Sequence, residues 1–151
     1  MDATTTPAPL LPLEQEFDKL VRLFTEYERL AADGTGPTDL GARLGRIGGR
    51  VQALAQFEQE RVLPRLPEPA LRDETQSQIA DLQARVEHVA ARATDNAHTQ
   101  REVRALAQAL RTHAHWQQRH VWPRLPEDDL PPLAAELAQW RAEWLQDEAP
   151  D

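Results

Sequence analysis

The 151-residue chain contains no cysteine, which excludes disulfides, thiolate chemistry, zinc–cysteine sites and iron–sulfur ligation. Positive charge is also scarce, because 17 Lys and Arg residues stand against 25 Asp and Glu residues and give a formal net charge of −8. An acidic surface repels nucleic acids and anionic membranes, so we expect neither as a partner. No continuous apolar run and no basic amino terminus are present. We therefore expect no signal peptide, no transmembrane helix and, by default, a cytoplasmic location.

Residues that favour β-strands are sparse, and no segment alternates between apolar and polar residues. The content of 40% hydrophobic and 28% charged residues is typical of a globular domain. Ala, Leu, Arg, Gln and Glu, all strong helix formers, dominate the composition. The sequence therefore predicts a single all-α domain.

Apolar residues recur at steps of three and four in five segments, as in amphipathic helices. Proline or glycine residues separate these segments, except that Asp95-Asn96 marks the turn between the third and the fourth. We predict helices over 13–32, from a cap at Thr38 or Asp39 to about 63, over 69–94, over 97–121 and, shorter, over 133–146. The expected division is a flexible leader over 1–12, a four-helix bundle over 13–126, and a short C-terminal helix with a tail over 127–151. Surface acidic residues, including Glu14, Glu16, Glu26 and Glu28, are expected to be solvated.

The ends of the second and fourth predicted helices repeat each other. Residues 54–68 and 113–127 align at a constant offset of 59 residues, and eight of the fifteen aligned positions are identical, including a shared Pro-Arg-Leu-Pro-Glu. The apolar positions upstream coincide at the same offset. We interpret this as an internal duplication of a helix hairpin, which predicts an antiparallel up-down four-helix bundle.

The repeated ending resembles that of hemerythrin-like domains, also called HHE cation-binding domains. In that family the second and fourth helices end in His, three residues, Glu, an apolar pair and Pro. Counting back from Pro123 places His113 and Gln117 at the His and Glu positions, and counting back from Pro64 places Leu54 and Glu58 there. The resemblance covers roughly residues 13–126 and implies a di-iron centre held by histidines from all four helices and by bridging carboxylates.

Two further ligand positions follow from the turns, because residues at equal height in an antiparallel hairpin are equidistant from its turn. Phe17 is expected opposite Leu54, and Ile79, with Gln78 beside it, is expected opposite His113. Phe17, Leu54 and Ile79 are apolar and cannot bind a metal. Glu58 and His113 are the plausible metal ligands that stay, and the uncharged Gln117 is a further candidate. We expect Glu58 to hydrogen-bond to His113 or Gln117, since an isolated buried carboxylate is costly.

These replacements predict a metal-free or weakly metal-binding regulatory or interaction module, with no resident cofactor. The alternative is a non-haem iron protein for oxygen, nitric oxide or redox sensing or storage, in which a di-iron centre or another transition metal is held by Glu58, His113 and a neighbour such as Gln117, Gln78 or Glu87. A peroxide- or nitric-oxide-consuming enzyme is disfavoured by the lost ligands. A protein partner stays unidentified, and both a monomer and a homodimer stay open.

The other histidines and the tryptophans receive simpler interpretations. His88 is expected at the surface, and His115 and His120 are expected to point away from His113, where a haem-ligand role stays open. Four tryptophans lie late in the chain, and we expect them to seal one end of the bundle against the fifth helix. They are Trp116, Trp122, Trp140 and Trp144.

Overall fold

The computed structural model describes residues 6–90 and 96–147, with side chains up to residue 144. Within these residues all regular structure is helical: four long helices, a C-terminal helix and several short turns, with no strand. The long helices are α1 (Leu11–Ala32), α2 (Pro37–Phe57), α3 (Pro69–Ala90) and α4 (Ala97–Trp116), and the C-terminal helix is α5 (Leu130–Asp147). None of them is long and apolar enough to cross a lipid bilayer.

The four long helices contact one another in a closed ring. α1 packs on α2, α2 on α3, α3 on α4, and α4 on α1. Their buried apolar residues form one core, to which α5 adds Leu133 and Leu137. α5 lies against α1 and against the segments at residues 8–10 and 58–62, so it packs beside the start of α1 and the end of α2.

α2 and α4 end through the same succession of turns. A π-helical turn follows each helix, the first π turn over Glu58–Val62 and the second π turn over Gln117–Val121. A 3₁₀ turn follows each π turn, over Leu63–Arg65 and Trp122–Arg124. The sequence predicted continuous helices to residues 63 and 121, and the single wide turn in each was not expected.

The helix starts and the turn between α1 and α2 follow the local sequence. Gly34 has a φ of 85°, the left-handed conformation that glycine adopts without cost. The amides of Gly34 and Thr35 bond to the carbonyls of Ala31 and Leu30, the Schellman arrangement that ends many helices. The expected cap at Thr38 or Asp39 is wrong, because Gly36 is the capping residue and Pro37 begins α2, where its missing N–H costs nothing.

Other boundaries differ from the prediction in small ways. A 3₁₀ turn over Ala8–Leu10 precedes α1, and Leu10 is fully buried, so helical structure begins within the segment expected to be a leader. Residues 1–5, the expected end of the third helix over 91–94 with Asp95, and the tail over 148–151 lie outside the described residues. Asn96 caps α4 by accepting a hydrogen bond from the amide of His98 at 2.7 Å.

Two acidic residues of α1 expected to be solvated are instead held by other elements. Glu16 is only 12% exposed and pairs with Arg141 of α5 at 3.0 Å and with Arg50 of α2 at 3.9 Å. Glu14 accepts hydrogen bonds from Thr6 and Gln118, both at 2.7 Å. The expectation is wrong for both residues, because one turn of α1 lies beneath α5 and the second π turn.

Gly48 and Gly49 allow a test of the α2–α3 contact. A Cβ at position 48 would lie 3.1 Å from Val86 Cγ1, whereas a Cβ at position 49 would meet nothing within 4 Å. Gly49→Ala should raise the free energy of unfolding by about 0.5–1 kcal/mol, the usual gain of alanine over glycine in a helix. Gly48→Ala should gain less or destabilise, because Val86 must move. Urea unfolding followed by circular dichroism compares the two, and equal gains would contradict this close approach.

Tyr27, the only tyrosine, provides a pH-dependent test of packing between α1 and α4. Burial raises the pKa of its phenol above the ordinary value, and the hydrogen bond that Gln100 donates to it at 3.3 Å opposes this in part. The unfolded chain ionises Tyr27 near pH 10, whereas the folded chain ionises it at higher pH. This group's contribution to stability is therefore complete below about pH 10 and is lost as the pH rises through the folded pKa.

Absorbance at the tyrosinate band during alkaline titration should give a midpoint above that of the urea-unfolded chain. Tyr27→Phe should flatten the fall in stability over the same pH range. Coincident midpoints for the folded and unfolded chains would show that the phenol is not shielded.

Candidate functional site

A buried polar cluster lies where α2 and α4 end. Glu58 opens the first π turn and Gln117 the second, and His113 lies one turn before Gln117 on α4. The side chains of Glu58 and His113 are each only 2% exposed, and Gln117 is fully buried. Glu58 and Gln117, which occupy equivalent positions in the two repeated segments, therefore lie at the same depth in the core.

The expected hydrogen bond of Glu58 is confirmed with both candidate partners. Oε2 of Glu58 lies 2.8 Å from Nε2 of His113 and also accepts a hydrogen bond from the amide of Gln117. The Gln117 amide nitrogen lies 3.1 Å from the same His113 nitrogen. One carboxylate oxygen thus joins α2 to two successive turns of α4.

Gln78 of α3 holds the opposite side of the imidazole. Its amide nitrogen donates to Oε2 of Glu74 at 3.2 Å, so its amide oxygen faces His113 Nδ1 at 2.9 Å. Because that oxygen can only accept, Nδ1 of His113 carries the hydrogen. The exposed Glu74 therefore fixes the orientation of Gln78, and Gln78 fixes the orientation of the buried ring.

The contact between Glu58 and His113 is a hydrogen bond that contains a single proton. With a hydrogen on Nδ1, the proton between His113 Nε2 and Glu58 Oε2 resides either on the nitrogen or on the oxygen, and the pair has no net charge in either case. A neutral pair avoids the large cost of an isolated charge in the core. The cluster is therefore compatible with the apolar side chains around it.

The three apolar residues at the expected ligand positions surround this cluster. Phe17, Leu54 and Ile79 border the same small cavity as Glu58 and His113. The Phe17 ring meets the His113 ring edge-on, with centroids 6.0 Å apart. The cavity holds about 10 Å³, close to the smallest volume that admits one water molecule. The structure thus brings all six positions together and fills the space between them with side chains.

The remaining histidines lie away from this cluster. His88 and His98 are both more than half exposed and both meet the carboxylate of Glu102, His88 at 2.9 Å. His120 packs against Trp116, with ring centroids 4.4 Å apart. Glu87, a further candidate in the sequence, is exposed at the end of α3. Sequence reasoning did not foresee the carboxylate shared by His88 and His98, although the spacing of His98 and Glu102 places them on one face of α4.

The four tryptophans lie in three different places and do not form a single seal. Trp140 packs on Phe57 with centroids 5.5 Å apart and stacks parallel to Trp144 at 6.4 Å. Trp122 is buried in the core. The Trp116 indole donates to Thr75 of α3 at 3.0 Å. Of the four tryptophans expected to seal the end of the bundle, only Trp140 and Trp144 therefore pack together at the fifth helix. Trp116 is instead anchored on α3.

The Glu58–His113 contact can be tested by exchanging residues between the two repeated segments. His113→Leu, which copies Leu54, should destabilise the protein by about 3–5 kcal/mol, because it leaves a buried carboxylate without its proton partner. Adding Glu58→Gln, which copies Gln117, should recover much of this loss, since the carboxylate is removed. Urea unfolding of both variants checks the recovery, and a double variant no more stable than His113→Leu would exclude the shared-proton pair.

No three His, Asp or Glu side chains among residues 6–90 and 96–144 are arranged to hold a metal ion. The chain matches no family model, no curated protein and no solved structure. The relation to hemerythrin-like domains therefore stays a prediction that the repeated helix ending supports.

Proposed function

We propose that this protein is a hemerythrin-like antiparallel four-helix bundle whose metal centre has been replaced by a hydrogen-bonded core, and that it acts as a regulatory or interaction module. The observation that carries the proposal is the cluster of Glu58, His113 and Gln117. These are the polar residues at the family's ligand positions, and each is engaged with the others.

The order of contacts between helices supports an antiparallel arrangement. Along α3 and α4, Thr75 meets Trp116, Gln78 meets His113, and His88 meets Glu102. Residue numbers thus rise on α3 as they fall on α4. Between α2 and α3, a Cβ on Gly48 would approach Val86, and Gln52 donates to the carbonyl of Gln83, so the same order holds there.

The matching ends of α2 and α4 support a duplicated hairpin. The last α-helical residue, the π turn and the 3₁₀ turn of the first half recur in the second half at the offset of 59 residues seen in the sequence. π turns are rare in helices, and those that occur often lie at functional sites. Two such turns at equivalent positions are more simply explained by common descent than by two separate insertions.

The donor set does not fit a di-iron centre. Two metal ions about 3.5–4 Å apart need several imidazole and carboxylate ligands, and three of the six positions are Phe17, Leu54 and Ile79. The cavity of about 10 Å³ between them leaves no room for such a centre. We therefore infer that the cluster stabilises the bundle and fixes its helix register.

Binding of a single metal ion is the second candidate function, and the environment of one atom supports it. Oε1 of Gln117 is buried and has no hydrogen-bond partner within the described residues. The amide nitrogen of Gln117 faces Glu58 and His113, so the amide would have to rotate by half a turn to bring Oε1 toward them. The three side chains would then offer a carboxylate, an imidazole and an amide oxygen, which suit a transition metal such as iron. In that case the protein would be a non-haem iron protein for sensing or storage, and Phe17 would have to move.

Iron analysis separates the two candidates. After expression with added iron, we expect far less than one iron per chain and no visible oxo-bridge absorption, because two strong ligands bind iron weakly. One iron or more per chain, lost on His113→Leu substitution, would overturn the metal-free proposal.

The family relation has a complementary test. A variant with Phe17→His, Leu54→His, Ile79→His and Gln117→Glu should take up iron, because it restores imidazole and carboxylate ligands at the deduced positions. Adding His113→Leu to this variant should reduce the uptake. A folded variant, verified by circular dichroism, that takes up no iron would contradict the assignment of these positions.

A further inference from the structure

The first π turn and α5 enclose a cleft of about 270 Å³. Phe57 and Trp140 provide an aromatic wall. The half-buried Trp140 ring packs on Phe57 and stacks parallel to Trp144. The volume is below the roughly 300 Å³ at which pockets for drug-sized ligands begin. The cleft therefore suits one long side chain.

Three carboxylates and one guanidinium line this cleft, and their partners differ. Glu136 meets Arg65 at 2.8 Å and Arg61 at 3.7 Å, so it is fully engaged with cations. Among the described residues, Glu60 accepts only from the neutral amide of Gln56, and Glu143 only from that of Gln139. Within that part of the chain, these two carboxylates beside the aromatic wall therefore have no cationic partner.

The second half of the molecule provides an internal comparison. The residues equivalent to Phe57, Glu60 and Arg61 are Trp116, Arg119 and His120. There the Trp116 ring is covered by His120, with centroids 4.4 Å apart, and the carboxylate is replaced by a cation. The acidic aromatic cleft thus belongs to the first half and depends on α5.

We propose that this cleft binds an arginine side chain of a protein partner. A guanidinium is planar, stacks on an indole and forms paired hydrogen bonds with carboxylates, which matches Trp140 together with Glu60 and Glu143. A lysine ammonium matches less well, because it is a strongly hydrated point charge without a stacking face. This inference rests on the proposed role as an interaction module and names its surface and the chemistry of its partner.

Binding can be measured with the peptide acetyl-Gly-Ser-Arg-Ser-Gly-amide, using nuclear magnetic resonance of the indole N–H groups. The Trp140 signal, assigned with Trp140→Phe, should shift and saturate with a dissociation constant on the order of 1 mM. The same peptide with citrulline, which keeps the shape but lacks the charge, should bind at least about tenfold more weakly, as should the lysine peptide. Raised salt should weaken binding of the arginine peptide.

Two variants with the same change in net charge identify the site. Glu60→Gln with Glu143→Gln should weaken binding of the arginine peptide at least about tenfold, because it removes both carboxylates. Glu87→Gln with Glu127→Gln alters two exposed carboxylates outside the cleft and should leave binding within about twofold.

Equal binding of the citrulline peptide, equal loss in both double variants, or no shift of the Trp140 signal would each overturn the arginine assignment. A Trp140 shift on dilution without peptide would identify a second copy of this chain as the occupant and overturn it as well. These outcomes are independent of iron content, so failure of the cleft proposal and failure of the metal-free proposal are separately visible.

Discussion

A buried carboxylate needs a proton or a cation beside it. At the centre of this protein, the residues around Glu58 meet that requirement. His113 shares a proton with it, Gln117 donates to it, and Gln78 holds the imidazole in the orientation that makes this possible. Three helices thus supply polar groups to one oxygen atom and its partner. Phe17 of α1 completes the enclosure by packing edge-on against the imidazole. A shift of any of these helices by one turn would separate Glu58 from its partners. The pair therefore stabilises one helix register, because any other register would leave an unpaired charge in the core.

α2 and α4 end through the same turns but differ in what covers those ends. α5 lies on the first half, where Arg65 pairs with Glu136 and Phe57 packs on Trp140. The second half covers its own aromatic residue with His120. Docking of α5 also explains why Glu16 is largely shielded from solvent, since Arg141 reaches it from that helix. The cleft beside the first π turn depends on this difference, because residues of α5 form its other side.

Much of the candidate site was deducible from the chain. Helical spacing placed Glu58 and His113 on inward faces, and the short turns fixed which residues lie at equal height, so Phe17 and Ile79 were expected beside them. The structure brings these residues to one cavity. The π turns were not deducible, because a wide turn leaves the apolar spacing almost unchanged over one or two turns. The orientation of Gln78 was not deducible either, since it depends on Glu74 as well as on His113.

By itself the sequence determined the number of helices, most of their boundaries, the repeated ending and the residues at the six central positions. These follow from local spacing, turn residues and internal similarity, which act over short distances along the chain. Tertiary structure alone decided which acidic residues are buried, which tryptophans meet, and where a cleft forms. Those features depend on how α5 docks and on which side chains compete for the same partner. Such choices are made by contacts between residues far apart in sequence, as between Glu16 and Arg141, and no local pattern encodes them.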